Sequence, residues 1–422
     1  MPLFRQLRGL TRVQRNTFSA CFLGWTLDSF DFFLLTFCLN AIAANYHVGR
    51  KQVVVAVSWT LVMRPVGAFL FGAMAEKYGR RPTMMINIVA FSMFELASAL
   101  APTLHSFLIW RALFGVAMGG VWGVGAALVL ETLPAQGRGF FSGLLQEGYV
   151  VGNLLAAALF GLLFSHLHGQ GLITNWRVLF MIGTLPALLA FYLRYNVEES
   201  PAWLASHRAG VAGEAPKRPP LEWRVLISYL PTFFFLVLLM TAFTSFSHGT
   251  QDIYPTFLAD RGLSPGMAGL VSAVGSIGAL LGGMFCGTLS EKFGRKRTII
   301  AAALLAIPMV PLWAWSHTAV LLALGGFLMQ FMVQGAWGII PAHLNELAPG
   351  PVRAIFPGLA YQLGNLLSSQ NIRVQEAFSA RHNAGSLNVA LSGTVIIVAI
   401  VVASVTALGP EAKGANLNGE VI

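Results

Sequence analysis

Two decapeptides decide the fold: GAMAEKYGRR at residues 72–81 and GTLSEKFGRK at residues 287–296. Each opens on glycine (Gly72, Gly287), carries an acid four residues on (Glu76, Glu291), and closes on a glycine and two bases. Those closing triplets are Gly79-Arg80-Arg81 and Gly294-Arg295-Lys296. Further pairs lie outward from them. Gly120-Val-Trp122-Gly123 returns as Gly335-Ala-Trp337-Gly338, and Glu131, Pro134 and Arg138 return as Glu346, Pro349 and Arg353. The offset is 215 residues in every case. One short match carries little weight, but three in a single register mark an internal duplication.

The residues between these motifs are overwhelmingly apolar. The chain is 56% hydrophobic and 10% charged, with a mean hydropathy of +0.68, whereas soluble domains carry about 25% charged residues. So little charge cannot maintain a water-facing shell, and lipid is the expected solvent. Apolar runs long enough to cross the bilayer are read at 17–44, 53–75, 83–101, 106–130, 139–165, 176–196, 225–256, 266–289, 298–316, 318–344, 354–379 and 385–409. The expected fold class is therefore an all-α polytopic membrane protein with about twelve spans. Six is an even number, so the two copies enter from one side and form parallel repeats.

Charge placement orients the chain. The formal charge of +10 does not indicate a nucleic-acid partner, because the bases sit in tails and short loops. Arg5, Arg8, Arg12 and Arg15 lie in the N-terminal segment. Lys77, Arg80, Arg81, Arg138, Arg194, Arg208, Lys217, Arg218, Arg224, Lys292, Arg295, Lys296, Arg297, Arg353 and Lys413 lie in even-numbered loops or the C-terminal tail. The odd loops hold fewer: Arg50, Lys51, Arg177, Arg261 and Arg381. The positive-inside rule then puts both termini in the cytoplasm of a cell whose inner membrane holds the protein. The expected domains are an N-terminal half at 1–196, a Pro- and Ala-rich cytoplasmic linker at 197–224, and a C-terminal half with a short tail at 225–422. The segment after the N-terminal arginines reads as a permanent span and not a cleaved signal. Cys21, Cys38 and Cys286 all fall in apolar runs and read as small buried hydrophobes. His47, His105, His166, His168, His317 and His382 fall in odd loops and read as surface residues.

The paired decapeptides resemble the signature of the major facilitator superfamily, and Glu198-Glu-Ser-Pro-Ala-Trp-Leu204 resembles its motif closing the first half. The loop acid of that signature is ordinarily Asp, and both copies here carry Glu. The resemblance implies the superfamily's two-half fold, with gating and structural roles for Gly72, Glu76, Gly79, Arg80, Arg81, Glu131, Arg138, Gly287, Glu291, Gly294, Arg295, Lys296, Glu346 and Arg353.

Ionisable groups inside spans are costly, about 2.5–3.5 kcal/mol each on insertion scales, and so are functional candidates. They are Asp28, Asp31, Arg64, Glu95, Arg111, Glu147, His248, Asp252, Arg373 and Glu376. Asp28 and Asp31 lie three apart, as proton carriers or as partners of an arginine and water. Arg64, near the middle of its span, offers a planar fork for a carboxylate; its alternative is a permanent partner such as Asp31. His248 and Asp252 lie four apart and can relay a proton, or they mark a polar helix end. Gln251, and Gln362 with Asn365, add neutral hydrogen bonding, or they tie helices together. Trp122 and Trp337 read as packing residues.

Ser247-His248-x-Thr250-Gln251-Asp252-x-x-x-Thr256 is similar to the fingerprint of fungal lactate/pyruvate-proton symporters within the sialate:proton symporter family, with Thr244 where that pattern has Asn. Leu61-Val-Met-Arg64-Pro-Val-Gly-Ala, Tyr361-Gln362-Leu-Gly-Asn365-Leu and Asp28-Ser-Phe-Asp31-Phe-Phe fit the same family. The resemblance implies substrate and proton handling by Arg64, His248, Asp252, Gln362 and Asn365. The expected function is proton-coupled symport of small monocarboxylates, with sialic acid or another organic acid as the rival substrate and a non-transporting membrane sensor as the rival of another class. No nucleophile motif or metal-ligand spacing appears, so no enzyme activity, metal or cofactor is expected. The expected partners are a small carboxylate, protons and lipid, and the expected state is a monomer.

Overall fold

Apolar runs of this length can satisfy their backbone in lipid only within helices or closed barrels, and this chain forms helices. The structure, a computed structural model, describes residues 9–164, 167, 174–212, 223–381 and 387–417. Arg5, Arg8, His166, His168, Lys217, Arg218 and His382 lie outside them, as does much of the inter-half linker. Eleven helical spans among the described residues are long and apolar enough to cross a membrane. In the first half these are α1 (Arg12–Asn45), α2 (Arg50–Tyr78), α3 (Arg80–Leu100), α4 (Leu104–Thr132), α5 (Arg138–Leu163) and α6 (Asn175–Asn196). The second half has α7 (Leu230–Asp260), α8 (Pro265–Phe293), α9 (Arg295–Ala314), α10 (Ala319–Leu347) and α12 (Leu387–Leu408).

The remaining span departs from expectation. The continuous run read at 354–379 is two helices, Phe356–Ser368 and Asn371–Arg381, together α11. The reason is local. Ser368 Oγ donates to the Asn365 carbonyl at 3.1 Å and Ser369 Oγ to the Leu366 carbonyl at 2.7 Å, so hydroxyls compete with the helical ladder at its end. The second piece is tied to α7, where Asn371 Nδ2 reaches the Ser245 carbonyl at 3.0 Å and Gln375 Nε2 the Gly249 carbonyl at 2.8 Å. On that piece Arg373 and Glu376 are exposed. They are not buried charges of a span interior.

The duplication is visible in the helix ends themselves. Helices α2 and α4 return as α8 and α10 with both ends shifted by 215 residues, while α6 returns as α12 with both ends shifted by 212. The molecule is thus two parallel six-helix repeats. Their shared turn needs glycine, since Gly79 and Gly294 sit at φ 105° and 97° with ψ 159° and 157°, a region closed to other residues.

The halves meet at the end bearing these turns. There α2 and α4 pack on α11, and α5 packs on α8 and α10. Contact is between backbones: a Cβ on Gly143 of α5 would lie 2.3 Å from the Gly283 carbonyl oxygen of α8. Small residues permit such approach in lipid, where packing and not hydrophobicity holds helices together.

Candidate functional site

Arg64 occupies the midpoint of α2 and is 5% exposed. Its Nη2 stands 3.5 Å from Asp28 Oδ2 and donates to Met118 Sδ at 2.7 Å, and its guanidinium lies 5.3 Å from the centre of the Phe32 ring. The helix accommodates a proline at position 65 immediately after it. Neither Asp28 carboxylate oxygen has a hydrogen-bond partner among the described residues. The arginine is therefore held by charge and an aromatic face, with donors in reserve for a planar carboxylate.

Asp31 is not the partner of Arg64. One turn along α1, it is fully buried beside Glu95 of α3; a Cβ on Gly183 would lie 2.7 Å from Asp31 Oδ1 and 3.3 Å from Glu95 Cγ. Glu95 is bound by Arg111 of α4 at 2.5 Å, and the Arg111 guanidinium lies 4.0 Å from the Phe114 ring. The first half thus contains two separate charged pockets, each served by one aspartate of α1.

The second half presents the α7 signature on two faces. His248 Nδ1 lies 3.1 Å from Asp252 Oδ2, and these side chains are 38% and 33% exposed. The neighbouring polar groups turn to α10. Gln334 Nε2 donates to Ser247 Oγ at 2.9 Å, Gln330 Nε2 to Thr250 Oγ1 at 3.2 Å, and Gln251 Nε2 to Gln330 Oε1 at 3.0 Å. Gln251 therefore spends part of its amide on a helix–helix brace. Gln330 and Gln334 were not singled out from the sequence, although two amides four apart in an apolar span are a usable signal. From α11, Asn365 comes close to both His248 and Tyr361. Gln362 is buried, with neither amide atom partnered among the described residues. Thr244, standing where the family pattern has Asn, bonds its own helix at the Met240 carbonyl, 2.8 Å away.

Beneath these groups lies an aromatic layer joining the halves. Trp122 stacks on Tyr361 with centroids 4.5 Å apart, and Trp25 and Trp337 approach the same ring at 6.2 and 5.8 Å. All four are nearly buried. Trp122 also donates to Gln146 Oε1 at 3.0 Å.

The basic-loop motifs form twin clusters below that layer. Arg80 binds Glu131 through Nε at 3.1 Å and Glu76 through Nη1 at 3.0 Å. Arg295 binds Glu346 at 2.9 Å and Glu291 at 2.8 Å. Each loop glutamate then crosses to the other half: Glu76 Oε1 accepts from the Ala354 amide at 2.8 Å, and Glu291 Oε1 from the Gly139 amide at 2.5 Å. An anion at a helix start is favoured by the unpaired amides there. Glu199 caps the start of α3 through the Arg80 and Arg81 amides, and Glu411 caps the start of α9 through the Arg295 and Lys296 amides. Burial pushes the Glu199 carboxyl above its usual range, and these amides and Arg80 pull the other way. Neither capping acid was assigned a role from the sequence; both follow the last span of their half.

Comparison with known proteins agrees with this arrangement. The family model described as Major Facilitator Superfamily matches residues 21–369. The chain is 30% identical over 396 residues to a carboxylic acid transporter protein homolog of Saccharomyces cerevisiae, a match covering 89% of this chain but only 63% of the yeast protein. It is 28% identical over 357 residues to the sialic acid transporter NanX of Escherichia coli, covering 83% of this chain and 84% of that one. Among solved structures, the proton:xylose symporter XylE superposes with a TM-score of 0.74 at 19% identity, over 96% of this chain and 98% of the other. At that identity the likeness concerns the fold.

Proposed function

Because the chain belongs to the Major Facilitator Superfamily, we propose that this multi-pass membrane transporter carries small monocarboxylates of the lactate or pyruvate kind together with protons, by alternating access. The observation that carries the reading is Arg64. A guanidinium buried at the middle of a span, 3.5 Å from Asp28, meets the need of an anion that must leave water. The substrate carboxylate engages Arg64 and displaces Asp28. Gln362 and Asn365 receive its keto or hydroxyl oxygen, and His248 with Asp252 handles the proton from the other half. Moving one proton with one monoanion is electroneutral, which avoids carrying net charge through low dielectric.

The twin glutamate–arginine clusters serve as the gate: separating the halves at that end breaks both cross-half glutamate contacts. The residues 1–196 and 225–422 act as the two rocking bodies, joined by the linker at 197–224. The protein sits in the cell's inner membrane as a monomer with both termini in the cytoplasm. An impermeant thiol reagent added outside should miss cysteines introduced in the linker and react with one introduced at His47; the reverse pattern would invert the orientation.

The test of function is uptake of labelled acids into proteoliposomes with and without an inwardly directed proton gradient. Lactate or pyruvate should accumulate only with the gradient, and faster as the outside pH falls. The match to a sialic acid transporter supports a second reading, in which sialic acid accumulates and the smaller acids do not. Uptake of every acid indifferent to the gradient would contradict symport.

A further inference from the structure

We infer that the two pseudo-symmetric arginines Arg138 and Arg353 form, with an apolar seat between them, a binding site for an extended peptide, and that its ligand is this chain's own tail. Arg138 begins α5 in the first half and Arg353 precedes α11 in the second. Arg138 Nη1 donates to the Ala415 carbonyl at 2.8 Å, and Arg353 Nη1 donates to the Leu417 carbonyl at 3.0 Å. Leu417 itself is fully buried, packed against Leu130 of α4 and Ala342 of α10. One tail segment thus touches α4, α5, α10 and the start of α11, and spans both halves at the end where they are closed.

The approach is built as well. Past α12, Glu411 caps α9, a turn closes through the Ala415 amide on the Ala412 carbonyl at 3.1 Å, and Gly414 takes φ 78°. The turn directs Ala415 to Leu417 across the seam. Hydrogen bonds from a buried guanidinium are stronger than neutral ones, and a buried leucine adds a hydrophobic term. Because Leu130 and Ala342 belong to different halves, parting the halves at this end must pull Leu417 out of its seat. The tail is a strap that favours the state closed here, and its release accompanies the opposite state.

The inference rests on the alternating-access reading above, but its test uses no substrate, so failure of the carboxylate or proton assignment leaves it standing. Spin labels on the full chain at Tyr78 and Phe293, exposed positions at the ends of α2 and α8, measure the separation of the halves at this end. Leu417→Ala, which empties the apolar seat, and separately a chain ended after Gly414, which removes both guanidinium–carbonyl bonds, should each raise the ratio of long to short separations about tenfold. A synthetic peptide of residues 415–422, the part the shortened chain lacks, should restore the short separation in it. An unchanged distance distribution in both variants, or a shortened chain that ignores the peptide, would overturn the strap.

Discussion

Arg64→Lys should lower carboxylate uptake into proteoliposomes by about 10- to 100-fold, the loss of one strong charged hydrogen bond, while leaving the protein folded. The ammonium keeps the positive charge that faces Asp28, so the pocket is not left with an unpaired buried acid. It loses the planar fork that meets two carboxylate oxygens at once, and its charge is compact and strongly hydrated. Its shorter head also withdraws from the face of Phe32, 5.3 Å from the guanidinium. The effect should fall on uptake and on binding measured at equilibrium alike, because the contact is to bound substrate. Uptake by Arg64→Lys equal to the unaltered protein would reduce the arginine to a structural counter-ion of Asp28.

The second large effect concerns coupling. Asp31→Asn or Asp252→Asn should abolish accumulation driven by a pH gradient while exchange of labelled for unlabelled substrate continues. The two acids sit in different surroundings. Asp252 is half-exposed with His248 3.1 Å away, where water can deliver a proton and the imidazole can hold its charge. Asp31 is sealed beside Glu95 and Arg111, in a pocket with two acids and one base. An uncoupled variant would give counterflow at near-normal rate and uptake indifferent to external acid. If both variants accumulate substrate normally, neither acid couples and Glu95 or Glu147 becomes the next candidate.

Much of the fold was legible because the basic-loop motifs occur twice in one register and the spans between them are long. The broken α11 was not, because hydropathy is blind to two serine hydroxyls turning back onto carbonyls. The site was legible by residue type but less so by partner. Asp28 and Asp31 are three apart, and three residues sweep only about 300° of a helix. That remaining angle sends Asp28 toward α2 and Asp31 toward α3 and α4, so the expected Arg64–Asp31 partnership fails. The same geometry separates His248 from Gln251 on α7: one stands beside Asp252, and the other joins Gln330. His248 and Asp252, four apart, stay together. Such choices depend on which neighbour lies across the seam, and spacing along one helix does not contain that information.

The matched helix ends have a consequence for how this protein can change over generations. Shifted by 215 residues, the twin glutamate–arginine clusters fall on one another position for position, but Asp28, Asp31, Arg64, Glu95 and Arg111 fall on Phe243, Phe246, Ala279, Val310 and Gly326. In the other direction His248, Asp252, Gln330 and Gln334 fall on Phe33, Phe37, Gly115 and Gly119. The descendants of one ancestral half kept the same glutamate–arginine clusters and specialised in opposite directions, one toward fixed charge and the other toward imidazole and amide. Selection can therefore alter the inner face of one half at a time while the paired clusters that join the halves stay the same.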